Sequence, residues 1–387
     1  MFNRFTDYQV AIVTLGDIAI KDVAPVFERI NSTGTPLTIV DLMRAATWSL
    51  TFDLVDAIDD ILHALEPKNF AGIDHKTLLR AIAAAAGLGF SSSSIEELCR
   101  RGEPQLKEDV VEATEAAKRA ADFLATEIGV PQAEALPYVN QFAVLTEVFR
   151  SIKHPTSTQL SEIKRWFWRT TLSSYFAGWN TGDMSSDFGS IAAFATASAA
   201  PLYTPAILPV ASVWTNRQFR SNSATSKMLA LMLAQSAPVD VLTGQRIDVG
   251  KSLSWGNDKE YHHLFPKAHL ARSGVSTLKA NAVANIILLT SHSNIQIRDR
   301  SPKDYLTELV DQHGRSEILS RLATNLVPEE ALDAALENDY DAFLSKRAAH
   351  LQRRALALCG ESEPVTTPPA ATTDPEYGDD TDANPAE

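Results

Sequence analysis

Two cysteines, Cys99 and Cys359, are too few for a disulfide framework, and without a CxxC pair there is no structural zinc knuckle. Residues 1–20 carry Asp7 and Asp17 and lack a basic start followed by an apolar run, so no signal peptide is expected. The most apolar long window, residues 194–214, is broken by Pro201, Pro205 and Pro209 and makes no membrane span. The expected compartment is therefore the cytoplasm. Positive charge is also short: 35 Lys and Arg against 48 Asp and Glu give a formal net charge of −13, which argues at first against a nucleic-acid partner.

The distribution of that charge matters more than its sum. Residues 361–387 hold eight acidic side chains and no basic one, which leaves −5 for the remainder. Residues 251–306 hold eight Lys and Arg against four Asp and Glu, a local excess of +4, and also His262, His263, His269 and His292. The basic patch and the histidines coincide.

At 387 residues, 45% apolar and 21% charged, the chain is an ordinary globular protein with room for two or three domains. It reads as mainly α-helical. "LTIVDLMRAATWSL" has a marked entry, with Thr38 as N-cap, Asp41 at N3 and Leu37 opposite Leu42 as a hydrophobic staple. The preceding "VFERINSTG" reads as a short helix ended by residues 31–34. Residues 75–127 are helical between the breaks "GLGFSSSS" and "RGEP", and "STQLSEIKRWFWRTTLSSYFAGW" is a further helix. Charge-poor, Pro/Ser/Ala-rich residues 181–222 mark a domain boundary. Beyond it "SKMLALMLAQ" is a helix, "VDVLTGQRIDVG" a turn with extended flanks, and "ANIILLTSH" a run of strand length. Ser301 as N-cap, Pro302 at N1 and Asp304 at N3 open another helix. Residues 328–359 form two helices ending at Gly360, and the Pro/Thr/Asp-rich tail has little to bury and is expected to be disordered.

The expected organisation is thus residues 1–50 as the end of an N-terminal domain, 51–222 as a helical domain, 223–310 as a small ββα unit, 311–360 as helices packed on it, and 361–387 as the acidic tail.

The chemistry concentrates in "EYHHLFPKAHL", residues 260–270. Neighbouring side chains on a regular strand point to opposite faces. Either one of the adjacent imidazoles is buried and the other wet, or the strand ends here and both serve one site. After a loop of about twenty residues follow Asn285, an apolar strand, Asn294, Arg298 and Arg300. Phosphodiester hydrolysis needs a base for water, a hard cation, and donors for the developing oxyanion. A histidine with a fixed tautomer supplies the base, and an Asn carbonyl suits magnesium. A helix starting near Ser291 would set Asn294 and Arg298 four apart on one face.

"HHLFP…NIILLTSHSN" resembles the HNH branch of the His-Me finger (ββα-metal) nucleases. The resemblance implies His262 as metal ligand, His263 as general base, Asn285 as orienter of the base-bearing loop, and Asn294 as second ligand. The family separates the last two by nine positions, as here. Many relatives have Asp where this chain has His262, a weaker partner for Mg2+; Glu260 compensates, and Mn2+ is the other candidate cation. Arg298 is the candidate catalytic cation, and Lys267 and Arg300 the candidate substrate-binding residues; no organic cofactor is implied. Over a longer span, "VFERINSTGTPLTIVDLMRA", "RWFWRTTLSSYF", "LTGQRID", "YHHLFPKAHL" and "LLTSHSNIQIRDRSPKDYL" are similar to GmrSD-type restriction endonucleases of anti-phage defence. Those proteins place a nucleotide-hydrolysing, ParB-like sensor before a helical region and an HNH domain. The sensor's Asp-Gly-Gln-Gln-Arg signature is missing here, since Gln245-Arg246 sits in another context, so nucleotide hydrolysis is not implied.

The resulting expectation is a metal-dependent endonuclease acting on modified or phage DNA. The alternative is an inactive fragment that binds DNA or a partner as one subunit of a split restriction system. A separate sensor subunit is then the expected partner, and double-strand cutting by a single-metal site favours a homodimer. Plainer readings stand beside these. Asn294 also suits a helix cap, His269 and His292 suit surface or packing roles, and Trp166-Phe167-Trp168 suit a helical core better than base stacking. "INSTGTPL" lacks the lysine of a phosphate loop and reads as a helix end followed by a helix start.

Overall fold

The computed structural model describes residues 38–196, 200–248, 250 and 261–361, and is mainly helical. The short helix read in "VFERINSTG", Leu37 of the staple, Glu260 and the acidic tail beyond residue 361 lie outside the described residues. The first helices are α1 (Ile39–Thr47), α2 (Leu54–Leu65), α3 (His75–Ala85), α4 (Ser92–Glu97) and α5 (Glu103–Phe123). They are followed by α6 (Asn140–Ser151), α7 (Ser157–Leu172), α8 (Thr181–Thr196), α9 (Val213–Asn216) and α10 (Ala224–Gln235). Then come β1 (Tyr261–His263), α11 (Lys267–Arg272), α12 (Thr277–Ala280), β2 (Ile286–Leu288) and α13 (Ser291–Ile297). The chain closes with α14 (Pro302–His313), α15 (Arg315–Thr324), α16 (Glu329–Leu336) and α17 (Tyr340–Leu358). Among the described residues no helix is long and apolar enough to cross a membrane.

Side-chain caps set several of these boundaries. At α1, Thr38 accepts from the Asp41 backbone while Asp41 accepts from the Thr38 backbone, closing a capping box. At α14, the Ser301 hydroxyl accepts from the Asp304 N–H and Pro302 occupies the first turn, where its missing N–H costs nothing. The Trp166-Phe167-Trp168 run on α7 is buried to within 2% of full burial, which makes it core and removes it from any base-stacking role. The apolar core is continuous from Met43 to Cys359 and runs through the charge-poor stretch before residue 223 without a break.

The "loop of twenty residues" between the histidines and Asn285 is more ordered than its composition suggests. It contains α11 and α12, the latter capped by the Ser276 hydroxyl accepting from the Lys279 N–H. Their effect is to return the chain so that β2 pairs antiparallel with β1, in the register Tyr261 to Leu288, His262 to Ile287 and His263 to Ile286. Two residues separate β2 from α13. The local order is therefore strand, strand, helix, over residues 261–297, with α17 packed behind it.

Candidate functional site

His263 is the last residue of β1, and both His262 and His263 are half-buried, so the strand ends at the pair and neither imidazole is fully wet. The ring of His263 is held by Asn281, with its Nε2 at 2.9 Å from Asn281 Oδ1. The Asn281 amide group donates to the Phe219 carbonyl at 3.0 Å, which only an NH2 can do, so the atom facing His263 is an acceptor. Nε2 therefore carries the proton, and Nδ1 is left with its lone pair. Burial pushes the His263 pKa down to about 4; the Asn281 bond opposes this, while Lys267 and His262 add to it. At neutral pH the imidazole is uncharged and able to accept a proton.

Asn285 is fully buried and fully satisfied. Its Oδ1 accepts from the Phe265 N–H at 2.9 Å, and its NH2 donates to the carbonyls of Phe265 (3.0 Å) and Ala280 (2.9 Å). Its own carbonyl accepts from the Leu264 N–H at 2.9 Å. Asn285 thus stands in for a strand partner where β1 has ended: its main-chain carbonyl holds Leu264 and its carboxamide holds Phe265. Tyr305 of α14 adds a bond from its hydroxyl to the Leu264 carbonyl at 2.8 Å.

The register sets Leu288, the end of β2, opposite Tyr261, and α13 begins three residues beyond it at Ser291. Its N-cap is Thr290, whose hydroxyl accepts from the Ser293 N–H. Asn294 is therefore not a cap. It lies one turn inside the helix, half-buried, and among the described residues its carboxamide has no hydrogen-bond partner. Arg298 departs from expectation: α13 stops at Ile297, and Arg298 closes it with φ 52° and ψ −115° while donating its N–H to the Asn294 carbonyl. That N–H closes the last helical turn, and the backbone leaves the helical region at Arg298 itself. A positive φ with this ψ is a region glycine tolerates and arginine does not without strain.

A buried anion anchors the same helix. Asp240, fully buried, accepts five hydrogen bonds: from the N–H groups of Leu242 (2.9 Å), Thr243 (3.0 Å) and Thr290 (2.8 Å), and from the hydroxyls of Thr290 and Ser293 (2.8 Å each). Burial pulls its pKa up, but the hydrogen bonds from Thr290, Thr243 and Ser293 outweigh it, and the carboxyl stays below its ordinary value. The carboxylate lies at the start of α13, where the helix dipole also favours negative charge.

The candidate cations differ in availability. Lys267 and Arg298 are exposed and form no ion pair among the described residues. Arg300 is paired with Glu308, and Arg272 with Asp299. Such exposed pairs are worth at most about 1 kcal/mol and yield readily to a phosphate. His292 bonds to Gln296 one turn on, and His269 is half-buried on α11.

Among the described residues there is no group of three or more His, Cys, Asp or Glu side chains able to hold a metal. A cation here would rest on the His262 imidazole and the unpartnered Asn294 oxygen. The carboxamide oxygen suits Mg2+, whereas the imidazole suits softer divalent ions better, and neither is the carboxylate through which Mg2+ is usually held.

No family model matches the chain. It is 22% identical over 345 residues, 84% of its own length, to uncharacterized protein MJ0686 of Methanocaldococcus jannaschii, and spans 57% of that protein's length.

Four positioning residues escaped the sequence reading: Asn281, Asp240, Asn325 and Arg347. Asn325 accepts from the Leu288 N–H and donates to the Val239 carbonyl, tying β2 to the Asp240 turn. Arg347 was detectable in principle. It falls on the apolar stripe of α17, one turn from Phe343 and one from Leu351, where a cation is out of place.

Proposed function

We propose that this protein is a metal-dependent endonuclease of the HNH type, hydrolysing phosphodiester bonds of DNA. The carrying observation is the tautomer of His263: Asn281 holds Nε2–H, burial keeps the ring neutral, and Nδ1 is left as an acceptor at a strand end. In that reading Nδ1 removes a proton from water as its oxygen forms a bond to phosphorus. The bond to the leaving ester oxygen breaks, and that oxygen takes a proton from solvent. Asn285 keeps the turn after His263 rigid, so the imidazole stays aligned through the step. His262 and Asn294 would hold the divalent ion, Mg2+ or Mn2+, which supplies charge neutralisation at the phosphate. Lys267 and Arg298 offer free cations for the DNA backbone, and Arg300 joins them when it exchanges Glu308 for phosphate.

Restriction of modified or phage DNA is the biological setting that the resemblance to GmrSD-type enzymes suggests. A separate sensor subunit is the partner that resemblance suggests, and double-strand cutting by a single-metal site favours self-association into a dimer.

Plasmid incubated with pure protein should be nicked or linearised with Mg2+ or Mn2+ and left intact with excess chelator. DNA binding without cleavage under all metal conditions would favour the reading as a binding subunit of a split system. Arg298 provides a second check. Arg298→Gly relieves the positive-φ strain, of order 1–3 kcal/mol, against the entropy cost of glycine, about 1 kcal/mol. The variant should therefore melt at or above the wild-type temperature while cleaving at least about tenfold more slowly, the equivalent of about 1.4 kcal/mol of barrier. Wild-type cleavage with a raised melt would remove Arg298 from the site.

A further inference from the structure

We propose that Arg347, on the last described helix, is a positioning residue for the candidate site, acting through the segment that carries Asn285; the inference rests on the nuclease reading only for its consequence on rate. Arg347 is fully buried, and among the described residues its guanidinium meets no carboxylate. It donates instead to four backbone carbonyls: Ala284 (2.8 Å), Ile286 (2.6 Å), Asn325 (3.0 Å) and Leu326 (3.4 Å). The first two flank Asn285 on either side. The last two belong to the turn whose Asn325 side chain holds β2.

A buried guanidinium without a counter-ion is costly, and helix packing alone would be served by leucine or methionine. What arginine adds is a rigid planar fork with five donors, able to bridge two chain segments at once. Burial depresses its pKa to about 9, which leaves it charged at neutral pH. Its helix presses on the same region at two further points. Tyr340 and Phe343 each lie 5.0 Å, ring to ring, from Phe265, the residue latched by Asn285, and the Tyr340 hydroxyl donates to the Lys279 carbonyl. The order of support therefore runs from α17 to the carbonyls of 284 and 286, to the Asn285 main-chain carbonyl and carboxamide between them, to the Leu264 and Phe265 backbone they hold, and so to His263.

Arg347→Met and Arg347→Lys, compared by hydrogen–deuterium exchange and by steady-state cleavage, test this. In Arg347→Met, exchange at the Leu264 and Phe265 amides should accelerate at least tenfold while α5 and α6 keep wild-type protection; kcat should fall at least tenfold with KM within twofold. Arg347→Lys, which keeps the charge but reaches fewer carbonyls, should fall between the two. If Arg347→Met does not fold, the lysine variant carries the test with the same local signature. Uniform loss of protection across the molecule, or unchanged protection at 264–265, overturns the proposal. The exchange readout needs no cleavage, so a wild-type protein that fails to cut DNA would sink the nuclease reading while leaving this support path measurable.

Discussion

His263→Ala should lower the rate of DNA cleavage in Mg2+ by about 10³-fold, within the range a positioned general base contributes. The fold should survive. The variant loses the Nε2 bond and leaves Asn281 Oδ1 without a partner, a cost of about 1 kcal/mol and no more than about 3 °C in the melt. The pH dependence separates a site imidazole from a surface one. The folded pKa, about 4, is below that of an unfolded histidine, so between those values the unfolded chain binds the extra proton. Wild-type stability therefore falls as pH drops from 7 toward 4, and the alanine variant, free of that linkage, closes the gap by about pH 5. A variant that unfolds at neutral pH would mark His263 as a core residue instead.

Asp240→Ala should produce the largest loss of stability in this region, about 3–5 kcal/mol in a denaturant titration, as expected for removing one partner from a buried charged network. Three backbone N–H groups and two hydroxyls lose their acceptor together, and the start of α13 loses its anchor. Asp240→Asn reports on the charge alone. A carboxyl depressed below its ordinary pKa contributes stability above that ordinary value and loses it as pH falls through the folded value. Wild type should thus destabilise in strong acid more steeply than the asparagine variant. A loss under about 1 kcal/mol in Asp240→Ala would show that α13 is held mainly by Ser293 and Ile297 packing.

Helix entries were the most legible part of the sequence, since capping residues act over three positions and leave a local signature, as Thr38 with Asp41 and Ser301 with Asp304 do. The pairing of β1 with β2 was legible only as two short strands separated by a loop of about twenty residues; its register depends on α11 and α12, which the composition of that stretch disguised as loop. Long-range acceptors left no pattern at all. Asp240 reads as an ordinary turn residue in "VDVLTGQ", yet its oxygens serve Thr290 and Ser293 some fifty positions later. Asn281 likewise looks like a helix end, and only the fold brings it to His263. The positive φ at Arg298 left no mark either, because periodicity assumes that a helix continues, whereas α13 ends at Ile297 and Arg298 is its C-cap.

Anomalous diffraction from crystals soaked in Mn2+ tests the central claim most directly. The nuclease reading requires a manganese peak within about 2.3 Å of a His262 ring nitrogen and of the Asn294 carboxamide oxygen, with His263 Nδ1 one water away. A peak elsewhere on the protein, or His262 and Asn294 facing separate surfaces with no ion between them, would contradict it.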